Sequence, residues 1–185
     1  MNEISVYLAG PLFSDQDREM LLGIEKAFIA AGMKCFLPHR EVGDLSALKA
    51  KIGEEPARRY VFNSDVRGVK DCTVICALLD GTDVDSGTAA EMGYAHALDK
   101  PVFGLCTDGV RRAKTINNVI WGVCSEGAQI YSSLSDMVTG VVETLLRRGY
   151  LSGVLPQKSQ DASIAERDAD FRSSKGVSLS VPGHE

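Results

Sequence analysis

The fold is decided by the stretch LLDGTDVDSGTAAEMGYA, residues 78–95, which joins a strand to a helix. Residues 74–79 are apolar throughout, as a central strand of a parallel sheet should be. A turn rich in aspartate and glycine follows, and a helix is predicted from Thr88 to about residue 98. Open α/β sheets bind ligands at loops that follow the carboxyl ends of strands. The aspartates of this turn and Glu91, in the first predicted helical turn, therefore mark a candidate site.

Strand and helix patterns alternate along the rest of the chain. Residues 4–10 have a period of two, whereas residues 20–31 carry apolar side chains at helical spacings that end at Gly32. Strands are also predicted at residues 33–37, 102–106 and 128–131, and helices at residues 56–70 and 134–148, with shorter helices at 45–52 and 116–123 and a loop at 39–44. The alternation predicts an α/β fold: a doubly wound five-stranded parallel sheet, flavodoxin- or Rossmann-like, with order 2-1-3-4-5 and helices on both faces.

The predicted strand order places the candidate site at a crevice. Strands 1 and 3 are neighbours in the order 2-1-3-4-5, and the switch point of the sheet lies between them. The loops that follow these two strands would then flank one crevice. We expect Tyr7, Phe13, Asp85 and Glu91 to meet there.

The predicted helix at residues 56–70 adds a further acidic group. Phe62, Val66 and Val69 are predicted to form its apolar face, with Asp65 at the edge of that face. The domain is expected to end at about residue 150. Residues 151–185 are rich in serine, aspartate, lysine and glycine without an apolar period, and we interpret them as a flexible C-terminal tail.

Composition and charge exclude several classes of protein. A net charge of -5 argues against a nucleic-acid polymer as partner, because such surfaces are basic. No apolar run approaches the length of a membrane helix, and the first residues do not resemble a signal peptide. The five cysteines include no Cys-x-x-Cys pair and favour buried thiols in a reducing compartment. We therefore expect a cytoplasmic protein without a membrane partner.

Familiar catalytic motifs are missing from the sequence. It contains no P-loop, no Gly-x-Gly-x-x-Gly after the first strand and no Gly-x-Ser-x-Gly elbow. Its three histidines are scattered, which argues against a histidine-rich metal site and a Ser-His-Asp triad. No metal and no cofactor is expected. Carboxylates remain as the available chemistry.

Each candidate residue also has a purely structural interpretation. Thr88 and Glu91 fit a capping box, in which Glu91 only accepts a backbone hydrogen bond. As a functional group, Glu91 would be a carboxylate kept ionised by the helix dipole and able to attack an anomeric carbon. Asp85 is either an N-cap or the acceptor of a ligand hydroxyl. Asp65 is either a solvated charge or part of the site, and Tyr7 can be an ordinary strand residue.

Four motifs together resemble the nucleoside 2-deoxyribosyltransferase family. They are VYLAGPLF at residues 6–13, NSDV at 63–66, DSGTAAEMGYA at 85–95 and INNVIWG at 116–122. The resemblance covers roughly residues 4–148. It implies a deoxyribosyltransferase-like domain over residues 1–150, which transfers a 2-deoxyribosyl group between nucleobases with net retention.

The resemblance also implies the roles of the catalytic residues. Glu91 is similar to the family nucleophile, which attacks C1′ of a 2′-deoxynucleoside and expels the base. Tyr7 is similar to the tyrosine that orients this carboxylate. Asp65 is similar to the aspartate that contacts the base and helps to deliver its proton. The expected partners are accordingly a 2′-deoxynucleoside and a free nucleobase.

Substrate-binding residues follow from the same motifs. Phe13 is expected to pack on the base and Asp85 to receive the 5′-hydroxyl, with Gly10 and Gly87 also contributing to the substrate site. Asn117 is similar to an asparagine that reaches into a neighbouring subunit's site. The resemblance therefore implies a homo-oligomer whose sites are shared between subunits.

Two alternatives to transfer stay open. The first is an N-glycosidase that hydrolyses (deoxy)nucleosides or nucleoside 5′-monophosphates to a free base and a sugar or sugar phosphate. A sister branch that hydrolyses the 5′-monophosphates tends to carry serine where this chain has Asp85, which would repel a phosphate. Related doubly wound domains bind nucleotides without turnover. Such a binding module would lose ligand affinity, rather than an activity, on Glu91→Ala.

Overall fold

A five-stranded, entirely parallel sheet forms the centre of the fold, and its order β2-β1-β3-β4-β5 is the predicted one. The computed structural model describes residues 3–12, 14–81, 83–108 and 116–152. The strands are β1 Ser5–Ala9, β2 Lys34–Phe36, β3 Val74–Leu78, β4 Val102–Leu105 and β5 Ile130–Tyr131. Each lies within its predicted segment, so the strand prediction is confirmed in order and in position.

Helices cover both faces of the sheet, also as predicted. In the described residues they are α1 Asp15–Ala30, α2 Pro38–Val42, α3 Leu45–Ile52, α4 Glu54–Asp71, α5 Ser86–Ala97, α6 Asn118–Val123 and α7 Leu134–Arg147. Side chains alternate along β1, so that Val6 and Leu8 belong to the apolar cluster formed with α1 and α7. Tyr7 and Ala9 belong to the opposite cluster, to which α4, α5 and α6 contribute.

Two local predictions were wrong. Residues 39–44 do not form a simple loop, because Pro38 starts the short helix α2 at its first position, where a proline costs no hydrogen bond. Phe62 is not buried: it is 65% exposed. The buried residues of helix α4 are instead mostly small, namely Ala57, Ser64 and Gly68 beside Val69.

The small residues of α4 allow a close approach between this helix and β2. A Cβ atom added to Gly68 would lie 2.7 Å from the ring of Phe36, which is closer than a real contact permits. The Phe36 ring stacks in turn on Tyr7, with centroids 5.2 Å apart and an interplanar angle of 13°. Gly68 therefore leaves space for the ring that stacks on Tyr7.

Residue 152 is the last that the structure describes. The tail predicted for residues 151–185 lies outside the described residues from residue 153 onward. The boundary at about residue 150 accordingly stays a prediction. None of the described helices combines the length and the apolar character needed to cross a membrane.

Candidate functional site

The centre of the candidate site is a hydrogen bond between Tyr7 and Glu91. The buried Tyr7 projects from β1, and its hydroxyl donates to Oε1 of Glu91 on α5 over 2.5 Å. The two residues are 84 positions apart in the sequence. Their contact therefore exists only because β1 and β3 are neighbours and α5 packs back onto the sheet.

Helix α5 begins two residues earlier than the sequence pattern suggested. Asp85 is its N-cap, and Oδ2 of Asp85 accepts hydrogen bonds from the Thr88 backbone N–H at 3.0 Å and the Thr88 hydroxyl at 3.3 Å. Thr88 is thus the third helical residue, and Glu91 lies in the second turn. The capping-box interpretation of Glu91 was wrong, whereas the capping role of Asp85 is confirmed.

The environment of Glu91 favours its neutral form. Burial raises the pKa of Glu91 to about 7, the Tyr7 hydrogen bond opposes this rise, and the nearby carboxylates of Asp65 and Asp85 add to it. The expectation that the helix dipole keeps this group ionised was therefore wrong, because desolvation dominates beyond the first turn. A carboxyl group with a pKa near neutrality can act both as a base or nucleophile and as an acid.

Asp65 is the second carboxyl group of the site. It lies on α4, close enough for its charge to raise the pKa of both Tyr7 and Glu91. Burial raises the pKa of Asp65 itself to about 6. Its Oδ1 atom is buried and has no hydrogen-bond partner in the described residues. Since an unpaired buried acceptor is costly, this oxygen is suited to a ligand that donates a proton to it or takes one from it.

The remaining aspartates of the turn after β3 have structural roles. Asp80 accepts hydrogen bonds from the backbone N–H groups of Thr107 at 2.7 Å and Asp108 at 3.2 Å, and from the Thr107 hydroxyl. It thereby joins the loop after β3 to the loop after β4. Asp83 accepts from the adjacent Val84 N–H at 2.8 Å. Fewer carboxylates of this turn are therefore available for chemistry than the number of acidic residues in the sequence suggests.

The other predicted site residues are placed as follows. Phe13 lies outside the described residues. A Cβ atom on Gly10 would lie 2.9 Å from a terminal carbon of Leu21 and 3.3 Å from Cβ of Leu78, so a side chain there would have to displace its neighbours. A Cβ atom on Gly87 would lie 3.0 Å from Oδ2 of Asp85.

Asn117 is exposed, and its side chain caps its own helix by accepting from the Val119 N–H at 2.8 Å. The structure of one chain therefore does not bring Asn117 to Glu91 by any described contact. Within the described residues there is also no group of three or more His, Cys, Asp or Glu side chains that could hold a metal ion.

A groove between α3 and α4 is a feature that the sequence analysis missed. It measures about 660 Å³ and has Asp65 in its lining, together with the exposed Phe62 and Arg58. Nothing in the helical pattern distinguishes Arg58 from its neighbours. Its place in the groove follows only from the rotation of α4 about its axis.

Comparison with known proteins agrees with this fold. A family model described as nucleoside 2-deoxyribosyltransferase matches residues 6–134. An uncharacterized protein of Ureaplasma parvum serovar 3 is 31% identical over 107 residues, which are 54% of this chain, and the chain spans 64% of that relative's length. The structure is similar to a conserved protein from Enterococcus faecalis V583, with a TM-score of 0.64, 22% identity, and coverage of 78% of this chain and 100% of that one. It is also similar to a 2-deoxyribosyltransferase from Bacillus psychrosaccharolyticus, with a TM-score of 0.61, 24% identity, and coverage of 72% and 90%.

Proposed function

Because the chain belongs to the nucleoside 2-deoxyribosyltransferase family, we propose that it acts on N-glycosidic bonds and transfers 2-deoxyribosyl groups between nucleobases. The observation that carries this proposal is the hydrogen bond from Tyr7 to Glu91, beside a second carboxyl group at Asp65. Two carboxyl groups of raised pKa suit a reaction that needs one nucleophile and one proton donor.

Glu91 is the proposed nucleophile. Tyr7 holds Oε1, which leaves Oε2 to attack C1′ of the deoxynucleoside. A C1′–O bond forms as the C1′–N bond breaks, and the departing base takes up a proton. The transition state resembles an oxocarbenium ion, and the negative carboxylate of Glu91 stabilises the positive charge that develops on the sugar. A second base then attacks C1′ from the face that the first one left and returns its N–H proton to Asp65, which restores both carboxyl groups and retains the configuration.

Asp65 is the proposed proton donor. With a pKa of about 6, it keeps a protonated fraction near neutrality that an ordinary aspartate would not have. The productive form has Glu91 ionised and Asp65 protonated. Since the two groups repel each other when both are charged, their titration is coupled and the pH profile reports the pair.

Asp85 is proposed to favour a free 5′-hydroxyl over a 5′-phosphate. Its hydrogen bonds from the described residues all go to Oδ2, which leaves Oδ1 to accept from a sugar hydroxyl. Phe13, Gly10 and Gly87 are also proposed to contribute to the binding of the sugar and the base. A phosphate at the same place would meet the Asp85 carboxylate, and that repulsion argues against nucleoside monophosphates as substrates.

We further propose that the functional unit is a homo-oligomer, in the cytoplasm. Val119 is 69% exposed and Trp121 is 46% exposed on α6, next to Asn117, which makes this helix a suitable contact for a second copy. All five cysteines are free thiols, as is usual in a reducing compartment. If Asn117 completes a neighbour's site, mixing inactive Glu91→Ala with inactive Asn117→Ala subunits restores activity. Two variants that stay inactive after mixing and exchange would contradict shared sites.

Product analysis tests the proposed reaction directly. The protein is incubated with deoxyinosine and adenine, with deoxyinosine alone, and with deoxyuridine and thymine, and the products are separated by chromatography. Deoxyadenosine or thymidine is expected from the wild type and is absent with Glu91→Ala. Free base without a new nucleoside means that water intercepts the intermediate, which makes the protein a hydrolase. Binding of the nucleosides without any product identifies a non-catalytic binding module.

A further inference from the structure

The groove between α3 and α4 extends away from Asp65 along one face of α4. Arg58, Phe62 and Asp65 are four and three residues apart, so they lie on one side of this helix. Leu45 from α3 and Val61 complete the apolar wall. The groove therefore offers an apolar surface wide enough for a flat ring, with a carboxyl group at one end and a guanidinium at the other.

Charge pairing within the groove leaves one cation in excess. Lys49 forms an ion pair with Glu54 at 3.2 Å, and Arg59 forms one with Glu55 at 2.9 Å. Arg58 forms no ion pair and no side-chain hydrogen bond with the described residues. Its planar fork of donors is thus available for two acceptors on the edge of a ligand.

We propose that this groove receives the nucleobase and that Arg58 selects 6-oxopurines by donating to their O6 and N7 atoms. This inference rests on the proposed function and names the substrate class. A guanidinium pairs with O6 and N7 of guanine through two parallel hydrogen bonds. Hypoxanthine has the same two acceptors, whereas adenine has an amino group in place of O6 and cannot accept both bonds.

The spacing along α4 fits a purine. Seven residues separate Arg58 from Asp65, which corresponds to roughly 10 Å along a helix. A purine ring that meets Asp65 near the glycosidic bond would bring its far edge within reach of the long Arg58 side chain. Phe62 lies between the two and can stack on the ring.

Variants of Arg58 test this selection. The values of kcat/KM are measured for deoxyguanosine, deoxyinosine and deoxyadenosine with the wild type, Arg58→Ala and Arg58→Lys. Loss of a two-bond contact is expected to lower the values for the two oxopurine substrates about 5- to 150-fold and to leave deoxyadenosine almost unchanged. Arg58→Lys keeps the positive charge but not the paired N–H donors of the guanidinium, so this variant is also expected to lose the preference for oxopurines over adenine. Arg67→Ala is the matched control, because this exposed arginine lies on the same helix and is not part of the groove lining.

The outcomes separate this inference from the proposed function. An unchanged oxopurine-to-adenine ratio in Arg58→Ala, or an equal loss in Arg67→Ala, overturns the role of Arg58 while the reaction stands. If the wild type converts no nucleoside, the proposed function fails. The role of Arg58 is then tested by calorimetry, which compares the affinities of the protein for free hypoxanthine and for adenine. Tighter binding of hypoxanthine that Arg58→Ala abolishes supports the selection. Equal affinities for the two bases, or an equal loss with Arg67→Ala, overturn the selection.

Discussion

Replacing Tyr7 by phenylalanine removes a single oxygen from the centre of the site. The ring and its stacking on Phe36 are kept, so the change isolates the hydrogen bond to Glu91. Such a bond to a charged group contributes roughly 1.5–3 kcal/mol. Because one pKa unit corresponds to about 1.4 kcal/mol, the loss raises the pKa of Glu91 by about one to two units.

The starting pKa of about 7 sets the size of the effect on activity. At pH 7 the ionised fraction of Glu91 is about one half in the wild type and falls to roughly 1–10% in Tyr7→Phe. Since only the ionised carboxylate attacks C1′, kcat/KM at pH 7 is expected to fall about 5- to 50-fold. Raising the pH refills the ionised form of Glu91, so the deficit of Tyr7→Phe relative to the wild type should close above pH 9, although both proteins lose rate there as Asp65 gives up its proton.

The assay is the pH dependence of kcat/KM for base exchange, measured from pH 5 to pH 10. The ratio of kcat/KM in Tyr7→Phe to that in the wild type is expected to be lowest at acid and neutral pH and to rise towards one as the pH passes the raised pKa of Glu91. Tyr60→Phe serves as the control, since this exposed tyrosine on the same fold should leave the profile unchanged. A Tyr7→Phe profile that is lowered by one factor at every pH would refute the reasoning, because Tyr7 would then act on something other than the ionisation of Glu91.

Three further predictions concern stability and selectivity. The pKa of Glu91 is raised in the fold from 4.5 to about 7, so its contribution to stability is complete below pH 4.5 and is lost as the pH rises through 7. In urea unfolding, the free energy of unfolding of Glu91→Gln should therefore rise relative to that of the wild type by about 1–3 kcal/mol between pH 5 and pH 8. A difference between the two proteins that does not change with pH would contradict this sign. Asp85→Ser keeps an N-cap and removes the charge, so the kcat/KM ratio of 5′-monophosphate to nucleoside should rise; an unchanged ratio would leave Asp85 as a cap alone. Gly68→Ala should destabilise the fold by roughly 1–3 kcal/mol, because the added methyl group would collide with Phe36. Gly23→Ala, with open space at its Cβ, should stabilise the fold by up to about 1 kcal/mol. Equal changes in the melting temperatures of the two variants would contradict the contact between residue 68 and Phe36.

The sequence predicts the arrangement of the sheet well because its signals are local and repeated. The apolar run at residues 74–79 and the βαβ spacing at the start of the chain are enough to place β1 beside β3. That placement leads to the expectation that Tyr7 and Glu91 lie in one crevice, and their hydrogen bond agrees with it.

The sequence could not predict features for which two neighbouring residues, or two roles of one residue, are equally compatible with the local pattern. Both Asp85 and Thr88 can cap a helix, and only the path of the chain after β3 decides that Asp85 does so. Pro38 can end a strand or start a helix, and here it starts α2 directly after β2. The exposure of Phe62 follows from the close packing of small residues on the opposite side of α4, a tertiary effect that overrides the apolar period.

Because the pKa of Glu91 is raised, substrate binding is coupled to an exchange of protons with the solvent. Near pH 7 about half of the free protein carries a proton on this carboxyl group. A nucleoside that binds productively selects the ionised form of Glu91, which releases on average up to about half a proton, and the protonated form of Asp65, which takes up protons. The heat of binding should then differ between buffers of unequal ionisation enthalpy, by an amount that reports the balance between these two groups.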